Sequence, residues 1–275
     1  QILVTEGDYR CLDPLRTNQQ YSRGVRNFVS DLNLSIDLNN TQISKDSEVF
    51  LEKTSTLSNL VNSFLDDRLT CECIIDEPSL ARLLPRIIPK HYTIMLSASS
   101  PVRDWLTYAP IEVFDRRVYS FRGASGIDGT LSLAMGLSLE KGPLFLITGD
   151  ISLLHDTNGW LFSSAIKNNL IIFLIDNNGG GIFHHIYSDI LSEELIKDLF
   201  SMPQQVNPLD IALANGIPYR QISNFIDIEH SIEWASSFNS PVLLRVCTDP
   251  IHDSNLRTQL QSDISKYLLS KFSEF

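Results

Sequence analysis

Apolar residues along this chain fall into two kinds of pattern, and their order predicts the architecture. Leu144 to Thr148 (LFLIT) and Leu170 to Ile175 (LIIFLI) are short runs rich in β-branched and aromatic side chains. Such runs read as strands buried on both faces, as in a parallel sheet. Between them, Leu153, Leu154, Trp160, Leu161, Phe162, Ala165 and Ile166 recur roughly at i, i+3, i+4 and i+7, which predicts a helix. A strand, a helix and a second parallel strand make one right-handed crossover. Residues 150 and 177 then sit at the same edge of one sheet, the edge where ligands collect in such folds.

The alternation continues on both sides. Strands are expected at Thr93 to Ser97, Val118 to Phe121, Tyr219 to Ile222 and Val242 to Cys247, and helices at Gly129 to Leu139, Pro208 to Asn215 and Ile226 to Phe238. This order predicts an α/β fold with a doubly wound parallel sheet. Upstream, Val49, Phe50, Leu57, Leu60, Val61 and Phe64 give helical periodicity to Ser47 to Leu65, and Glu77 to Ile88 reads as a second helix closed by Pro89. Ile2 to Glu6 reads as a strand and Tyr21 to Leu32 as a helix, followed by a polar stretch, Asn33 to Ser47, with the character of a linker. The expected domains are residues 1–32, the tail of a preceding domain; 33–75, a linker and helix; and 76–275, the sheet domain. The opening QILVTEG has neither an initiator Met nor a signal-peptide pattern and reads as the last strand of a preceding domain, so a longer protein is expected.

Two oxygen-rich turns close the central strands: Gly149-Asp150 and Asn177-Asn178-Gly179. Asp150 offers a carboxylate and Asn177 an amide oxygen, while Gly179, Gly180 and Gly181 let backbone groups approach a ligand closely. Oxygen-only ligation suits magnesium or calcium, and magnesium commonly takes one or two carboxylates and completes its shell with phosphate and water. The helix after Asp150, with Ile151 and Ser152 in its first turn, would offer free N–H groups to a phosphate. Taken singly, an Asp after a strand is a common helix N-cap and Asn-Asn-Gly-Gly is first a turn signal. Together, separated by one crossover, they match the thiamine-diphosphate signature of Gly-Asp-X, a gap, then Asn-Asn.

Three segments are more specific: FRGASGIDG (Phe121 to Gly129), GDIS (Gly149 to Ser152) and DNNGGGIF (Asp176 to Phe183). On these the chain resembles the C-terminal half of the 2-succinyl-5-enolpyruvyl-6-hydroxy-3-cyclohexene-1-carboxylate synthase family of menaquinone and phylloquinone biosynthesis. The likeness runs from ILVTEGDYRCLDP to PVLLRVCTDP, is strongest between Ser97 and Phe183, and is weak between Asn33 and Ile75.

The resemblance implies a thiamine-diphosphate-binding fold preceded by the tail of a central α/β domain. Its cofactors are thiamine diphosphate and magnesium, with manganese as a substitute. It implies that Asp150, Asn177 and the backbone oxygen of Gly179 hold the cation. Ser99, Ser100, Gly149, Ile151, Ser152, Gly180, Gly181 and Ile182 would surround the cofactor, and Ile127 would lie beneath it as an apolar wedge. Arg103 and Arg122 would grip substrate carboxylates and Phe183 would line the apolar wall. The implied reaction decarboxylates 2-oxoglutarate and adds the succinyl unit to isochorismate. The implied assembly is a homodimer or homotetramer whose active site is shared with a pyrimidine-binding domain that no segment here resembles.

Chemistry supports the arginines independently, because both substrates are dicarboxylates and guanidinium groups pair with carboxylates bidentately. Each also has a plainer reading: Arg122 as a loop ion pair, Arg103 as a partner of neighbouring Asp104, and Ile127 as a core residue. His184 and His185 follow the glycine turn and are read as surface residues or as lying behind the site, and His155 has no assigned role. His91, His230 and His252 show no ligand spacing.

Composition narrows the remaining classes. In 275 residues, 43% are hydrophobic, enough for a sizeable core. The formal charge of −11 and the lack of a basic run argue against nucleic acid. Apolar runs stop well short of the ~18 residues a membrane span requires. Cys11, Cys71, Cys73 and Cys247 are scattered and read as reduced thiols, so a cytoplasmic or plastid-stromal location is expected. Two rival readings remain: another thiamine-diphosphate enzyme, acetolactate synthase-like or oxalyl-CoA decarboxylase-like, and a catalytically silent assembly or regulatory module.

Overall fold

A computed structural model describes residues 2–7, 10, 19–35, 45–69, 74–113, 115–120, 126–188 and 190–272. The chain divides into two compact units, Gln1–Thr56 and Leu57–Phe275. In the smaller, β1 (Ile2–Val4) pairs in parallel with β2 (Gln19–Tyr21), and α1 (Gly24–Ser35) follows. The expected helix from Tyr21 therefore starts three residues late. Tyr21 is the last paired residue of β2, and Gly24 turns the chain with φ 83° while its N–H bonds the Thr5 carbonyl. A helix, α2 (Lys45–Leu69), contains the boundary between the units and is longer at both ends than the apolar stripe predicts.

The larger unit is built on six strands among the described residues, all paired in parallel: β3 (Thr93–Leu96), β4 (Val118–Ser120), β5 (Leu144–Gly149), β6 (Leu170–Asp176), β7 (Tyr219–Ile222) and β8 (Pro241–Cys247). Their spatial order is β4-β3-β5-β6-β8-β7. The chain leaves β3 for β4 on one side and returns to β5 on the other, so the order reverses at the β3/β5 crevice. Flanking helices are α3 (Glu77–Ile87), α4 (Ser100–Tyr108), α5 (Thr130–Lys141), α6 (Asp150–His155), α7 (Ile182–Tyr187), α8 (Glu193–Ile196), α9 (Pro208–Ala214), α10 (Asp227–Ser236) and α11 (Pro250–Phe272). The doubly wound parallel sheet is the one the alternation of patterns predicts.

Unbroken apolar runs in β5 and β6 have a simple cause: every other residue serves a different core. Phe145, Ile147, Ile171, Phe173 and Ile175 face one cluster with Leu80, Leu84 and Ile232. Leu144, Leu146, Leu170, Ile172 and Leu174 face the other with Leu131, Met135 and Trp160. A third cluster joins Leu65, Leu69, Ala81, Tyr108 and Leu260, where α2, α3, α4 and α11 meet. Buried Arg82 ties that junction by donating to Asp66, the Asn62 carbonyl and the Tyr108 carbonyl. Burial pushes the Asp66 carboxyl up, but hydrogen bonds from Arg86 and Arg82 outweigh it and hold it down at about 2.

Two departures from the sequence pattern matter. The single crossover helix expected between β5 and β6 is split into α6 and a 3-10 stretch, Thr157–Ala165. Asp156 turns its carboxylate away to accept from Ser132 N and Oγ at 2.6 and 3.0 Å, and Asn158-Gly159 is a poor helix continuation. Gly159 packs so closely on α5 that a Cβ there would lie 2.9 Å from Leu131. The second departure is α11, a long helix beyond the last expected strand. Its start has a readable signal in Asp249-Pro250, since the Asp249 carboxylate caps Ile251 N and His252 N.

Phe173 is fully buried, 5.8 Å from the Phe145 ring at the centre of the sheet. Phe173→Ala is expected to cost about 3–5 kcal/mol of unfolding free energy, read as a lowered denaturation midpoint at unchanged slope.

Candidate active site

Ser97 to Ser100 leave the carboxyl end of β3 and Gly149 to Ser152 that of β5, on the two sides of the crevice where strand order reverses. A cavity of about 290 Å³ opens there. Such a crevice is the usual ligand position in open α/β sheets. Ser99, Ser100, Ile127, Gly149, Asp150, Ile151, Ser152, Asn177, Gly179, Gly180, Gly181, Ile182 and Phe183 all line it. Ser99 has φ 75° and ψ −138°, a backbone conformation costly for a residue with a side chain, and of a kind concentrated at functional sites.

The register of β5 and β6 sets the central pair. Gly149 lies opposite Ile175, so Asp150 and Asn177 emerge next to each other one and two residues further on. Asp150 is 4% exposed, and its Oδ2 accepts from Gly179 N at 2.6 Å. Burial first, then the neighbouring Asp176 carboxylate, push the Asp150 carboxyl up to about 7 against hydrogen bonds from the Ile151 and Gly179 backbones. Asn177 is 8% exposed. Its Nδ2 donates to Glu77 at 2.6 Å, while its buried Oδ1 has no partner among the described residues.

A divalent cation fits this donor set. It would give the orphaned amide oxygen a partner and set a positive charge beside Asp150; the neighbouring Asp176 carboxylate is already paired with Arg245 at 2.7 Å. The Gly179 carbonyl, the third expected ligand, accepts from Gly181 N at 3.0 Å and has a second lone pair. Among the described residues no three His, Cys, Asp or Glu side chains converge on a metal position. A mixed carboxylate, amide and carbonyl set lies outside that pattern. The space beside the Gly149 backbone is open: a Cβ there would meet only the Ile175 carbonyl at 4.0 Å. The glycine turn itself leaves no such space. At Gly179, with φ 132°, a Cβ would strike Ser201 O at 2.0 Å, and at Gly181 it would strike Asn177 Nδ2 at 2.4 Å.

The two expected arginines are placed differently. Arg103 is exposed, donates to the Ser99 carbonyl at 2.8 Å, and lines a second, adjoining cavity of about 540 Å³ with Thr107, His185 and Gln261. It does not pair with Asp104. Arg122 lies outside the described residues. Phe183 packs on Tyr187 and Phe200 at 6.1 and 5.4 Å between ring centres. His184 is buried, with Nε2 3.1 Å from Ser201 Oγ, while His185 and His155 are exposed. The Ser152 hydroxyl lies 2.8 Å from Thr130 Oγ1. Cys247 is free and exposed; the other three cysteines lie outside the described residues.

Sequence reasoning overlooked a charged layer at the cavity wall, which Glu77 and Asp104 themselves line. Glu77, at the first turn of α3, accepts from Arg257 Nη2 at 2.5 Å, and the same nitrogen reaches Asp104 Oδ2 at 2.7 Å. Asp253 Oδ1 accepts from Glu77 N at 3.2 Å. Burial raises the Asp104 carboxyl, with Arg257 opposing; burial and Glu77 raise that of Asp253 to about 8. Three acidic groups thus surround one guanidinium. The residues are 180 positions apart at the extreme, and only the unforeseen α11 brings them together.

The parallel sheet with its flanking helices is a fold shared with thiamine-diphosphate-dependent enzymes. The structure superposes on an enzyme from Mycobacterium smegmatis assigned as thiamin diphosphate-dependent, with TM-score 0.60 and 14% identity, over 90% of this chain and 44% of the other. It also superposes on benzoylformate decarboxylase from Polynucleobacter necessarius, with TM-score 0.52 and 16% identity, over 63% of this chain and 33% of that one. At these identities the likeness is one of fold alone.

In sequence the chain is similar along its whole length to the 2-succinyl-5-enolpyruvyl-6-hydroxy-3-cyclohexene-1-carboxylate synthases. It is 45% identical to that of Prochlorococcus marinus (strain NATL2A) over 100% of this chain and 46% of the relative. It is 44% identical to that of Prochlorococcus marinus (strain MIT 9313), over 98% and 46%. Against that of Synechococcus sp. (strain CC9902) the identity is 45%, over 95% and 45%. The chain spans about half the length of the curated relatives it matches. No family model matches the chain.

The raised Asp253 carboxyl fixes a pH dependence. It binds its proton more tightly in the folded than in the unfolded chain, so between its ordinary value near 4 and about 8 the folded state loses stability as pH rises. Asp253→Asn keeps an acceptor for Glu77 N and removes that loss. Its melting temperature is expected to gain on the parent between pH 5 and pH 8, by about 2–4 °C for each ~1 kcal/mol relieved. Thermal melts across this range check it; a difference independent of pH would contradict the assignment.

Proposed function

We propose that this chain is the C-terminal part of a thiamine-diphosphate- and magnesium-dependent synthase that decarboxylates 2-oxoglutarate and adds the succinyl unit to isochorismate. The observation that carries this reading is the orphaned Asn177 Oδ1 beside the Asp150 carboxylate in one cavity, in a chain 45% identical to synthases of that name. The relationship along the whole of this chain favours it over an acetolactate synthase-like or oxalyl-CoA decarboxylase-like activity.

In this reading Asp150, Asn177 and the Gly179 carbonyl hold magnesium, or manganese in its place. Gly149, Ile151, Ser152, Gly180 and Gly181 accommodate the diphosphate, Ile127 supports the ring system from below, and Ser99, Ser100 and Ile182 complete the wall. Leu84, Trp105, Ile147 and Ile175 line the apolar part of the cavity and keep water from it. Bound thiamine diphosphate supplies the electron sink for loss of carbon dioxide and for the new carbon–carbon bond. Arg103 and Arg122 orient the substrate carboxylates as bidentate donors, and Phe183 closes the apolar side. Residues 76–275 form the cofactor-binding domain, residues 1–32 the tail of a central domain. The assembly is a homodimer or homotetramer in the cytoplasm or plastid stroma, where a pyrimidine-binding domain of a neighbouring subunit completes the site. Among the described residues no helix is long and apolar enough to cross a membrane.

Two experiments test this. Magnesium with thiamine diphosphate at about 100 times its dissociation constant is expected to stabilise the chain by about 2.7 kcal/mol in thermal melts. Asp150→Asn, which removes the ligating charge, should abolish that shift; an undiminished shift would rule out the cation site. Turnover of isochorismate and 2-oxoglutarate is expected only when a complementing pyrimidine-binding half is added. Robust turnover by the chain alone would show that no such half is needed.

A further inference from the structure

The amide of a metal-binding asparagine has two ends, and only one binds a cation. The choice between them at Asn177 is made by Glu77, which shares the cavity wall with it. A carboxylate can only accept, so Glu77 Oε1, 2.6 Å away, requires the Asn177 nitrogen to face it and sends Oδ1 to the opposite side, where it has no other partner among the described residues. Glu77 in turn is fixed on its other oxygen by Arg257 at 2.5 Å, and Arg257 by Asp104 through Nε and Nη2 at 3.1 and 2.7 Å. Glu77 is 3% exposed, so water does not compete for these bonds.

We infer that Glu77 is a positioning residue for the cation site, with Arg257 and Asp104 as its support: it sets which end of the Asn177 amide is left for a cation. The inference rests on the reading of Asn177 as a cation ligand. It gives α11 a role in the site although α11 lends the cation no ligand. Groups that orient metal ligands typically change metal affinity 10–100-fold when altered.

Substituting Glu77 by Gln makes a directional test. Arg257 can only donate, so it claims the new amide's oxygen, and the new amide's nitrogen is left facing Asn177. Asn177 must then offer its oxygen backwards and present its nitrogen to the cavity. Adding Asn177→Asp repairs the arrangement, because a carboxylate accepts from the new amide with one oxygen and offers the other to the cation. Asn177→Asp alone sets two carboxylates against each other at the present 2.6 Å contact.

The full chain with thiamine diphosphate would be titrated with Mn2+, following free Mn2+ by electron paramagnetic resonance. Glu77→Gln is expected to bind Mn2+ about 10–100-fold more weakly than the parent. The double variant Glu77→Gln/Asn177→Asp should recover most of that loss, and Asn177→Asp alone should bind more weakly than the double variant. Unchanged affinity in Glu77→Gln, or a double variant no tighter than Glu77→Gln, overturns the inference. Asp150→Ala separates the two levels. If it binds like the parent, the cation site itself is wrong; if it abolishes binding while Glu77→Gln does not weaken it, only the positioning role fails. Circular dichroism checks folding. Should Glu77→Gln not fold, Glu77→Asp keeps the charge but withdraws the carboxylate by one methylene, and a Mn2+ affinity equal to the parent's would overturn the inference equally.

Discussion

Everything at the candidate site depends on the pairing of β5 with β6. Parallel strands in register, with Gly149 opposite Ile175, bring the first residue past one strand next to the first residue past the other. A slip of one residue would turn every side chain of a strand to its opposite face and exchange the two cores with it. The two apolar clusters that use alternate residues of both strands therefore hold the register, and the register holds Asp150 beside Asn177. The catalytic geometry of the proposed enzyme is in this sense a by-product of core packing some distance below it.

How much of this could be read from the chain follows from the range of each interaction. Strands β3, β5, β6 and β8 were legible because each is set by a local run of residue types, and a largely buried strand needs no partner to be recognised by its composition. The oxygen-rich turns were legible for the same reason. The crossover helix was misread over Asp156 to Ala165, where Asp156 bonds a residue on α5 and Gly159 packs on Leu131; neither contact is visible locally. The α11 helix has a weak apolar stripe in Leu256, Leu260 and Ile264, with polar residues between, and so lacks the sustained pattern of a sheet-covering helix.

The least legible part was the charged layer of Glu77, Asp104, Asp253 and Arg257. Glu77 looks like an acidic residue in the first turn of a helix, and it is one, capped behind Asp76. Asp104 looks like the partner of adjacent Arg103. Sequence proximity favoured that pair, but Arg103 points to an exposed cavity while Asp104 turns to a guanidinium 153 positions away. For buried charges, desolvation decides the partner: a half-exposed neighbour gives little, and a buried Arg already shared with Glu77 gives more.

Burying three acids around one arginine is a poor way to gain stability, because desolvation of ion pairs commonly cancels their attraction. The strained pKa of Asp253 is a sign of that cost. What the layer does supply is direction. Apolar residues in place of Glu77 and Arg257 would pack as well but would leave the Asn177 amide free to rotate between two ends of nearly equal size. A hydrogen-bonded carboxylate removes that ambiguity, so in the proposed cation site the Asn177 amide is already oriented and binding need not order it. The same logic explains why the support comes from α11, the element furthest along the chain. A guanidinium reaching across to both α3 and α4 locks two helices that flank the cavity, and the cation site is then rigid only when the whole larger unit is folded.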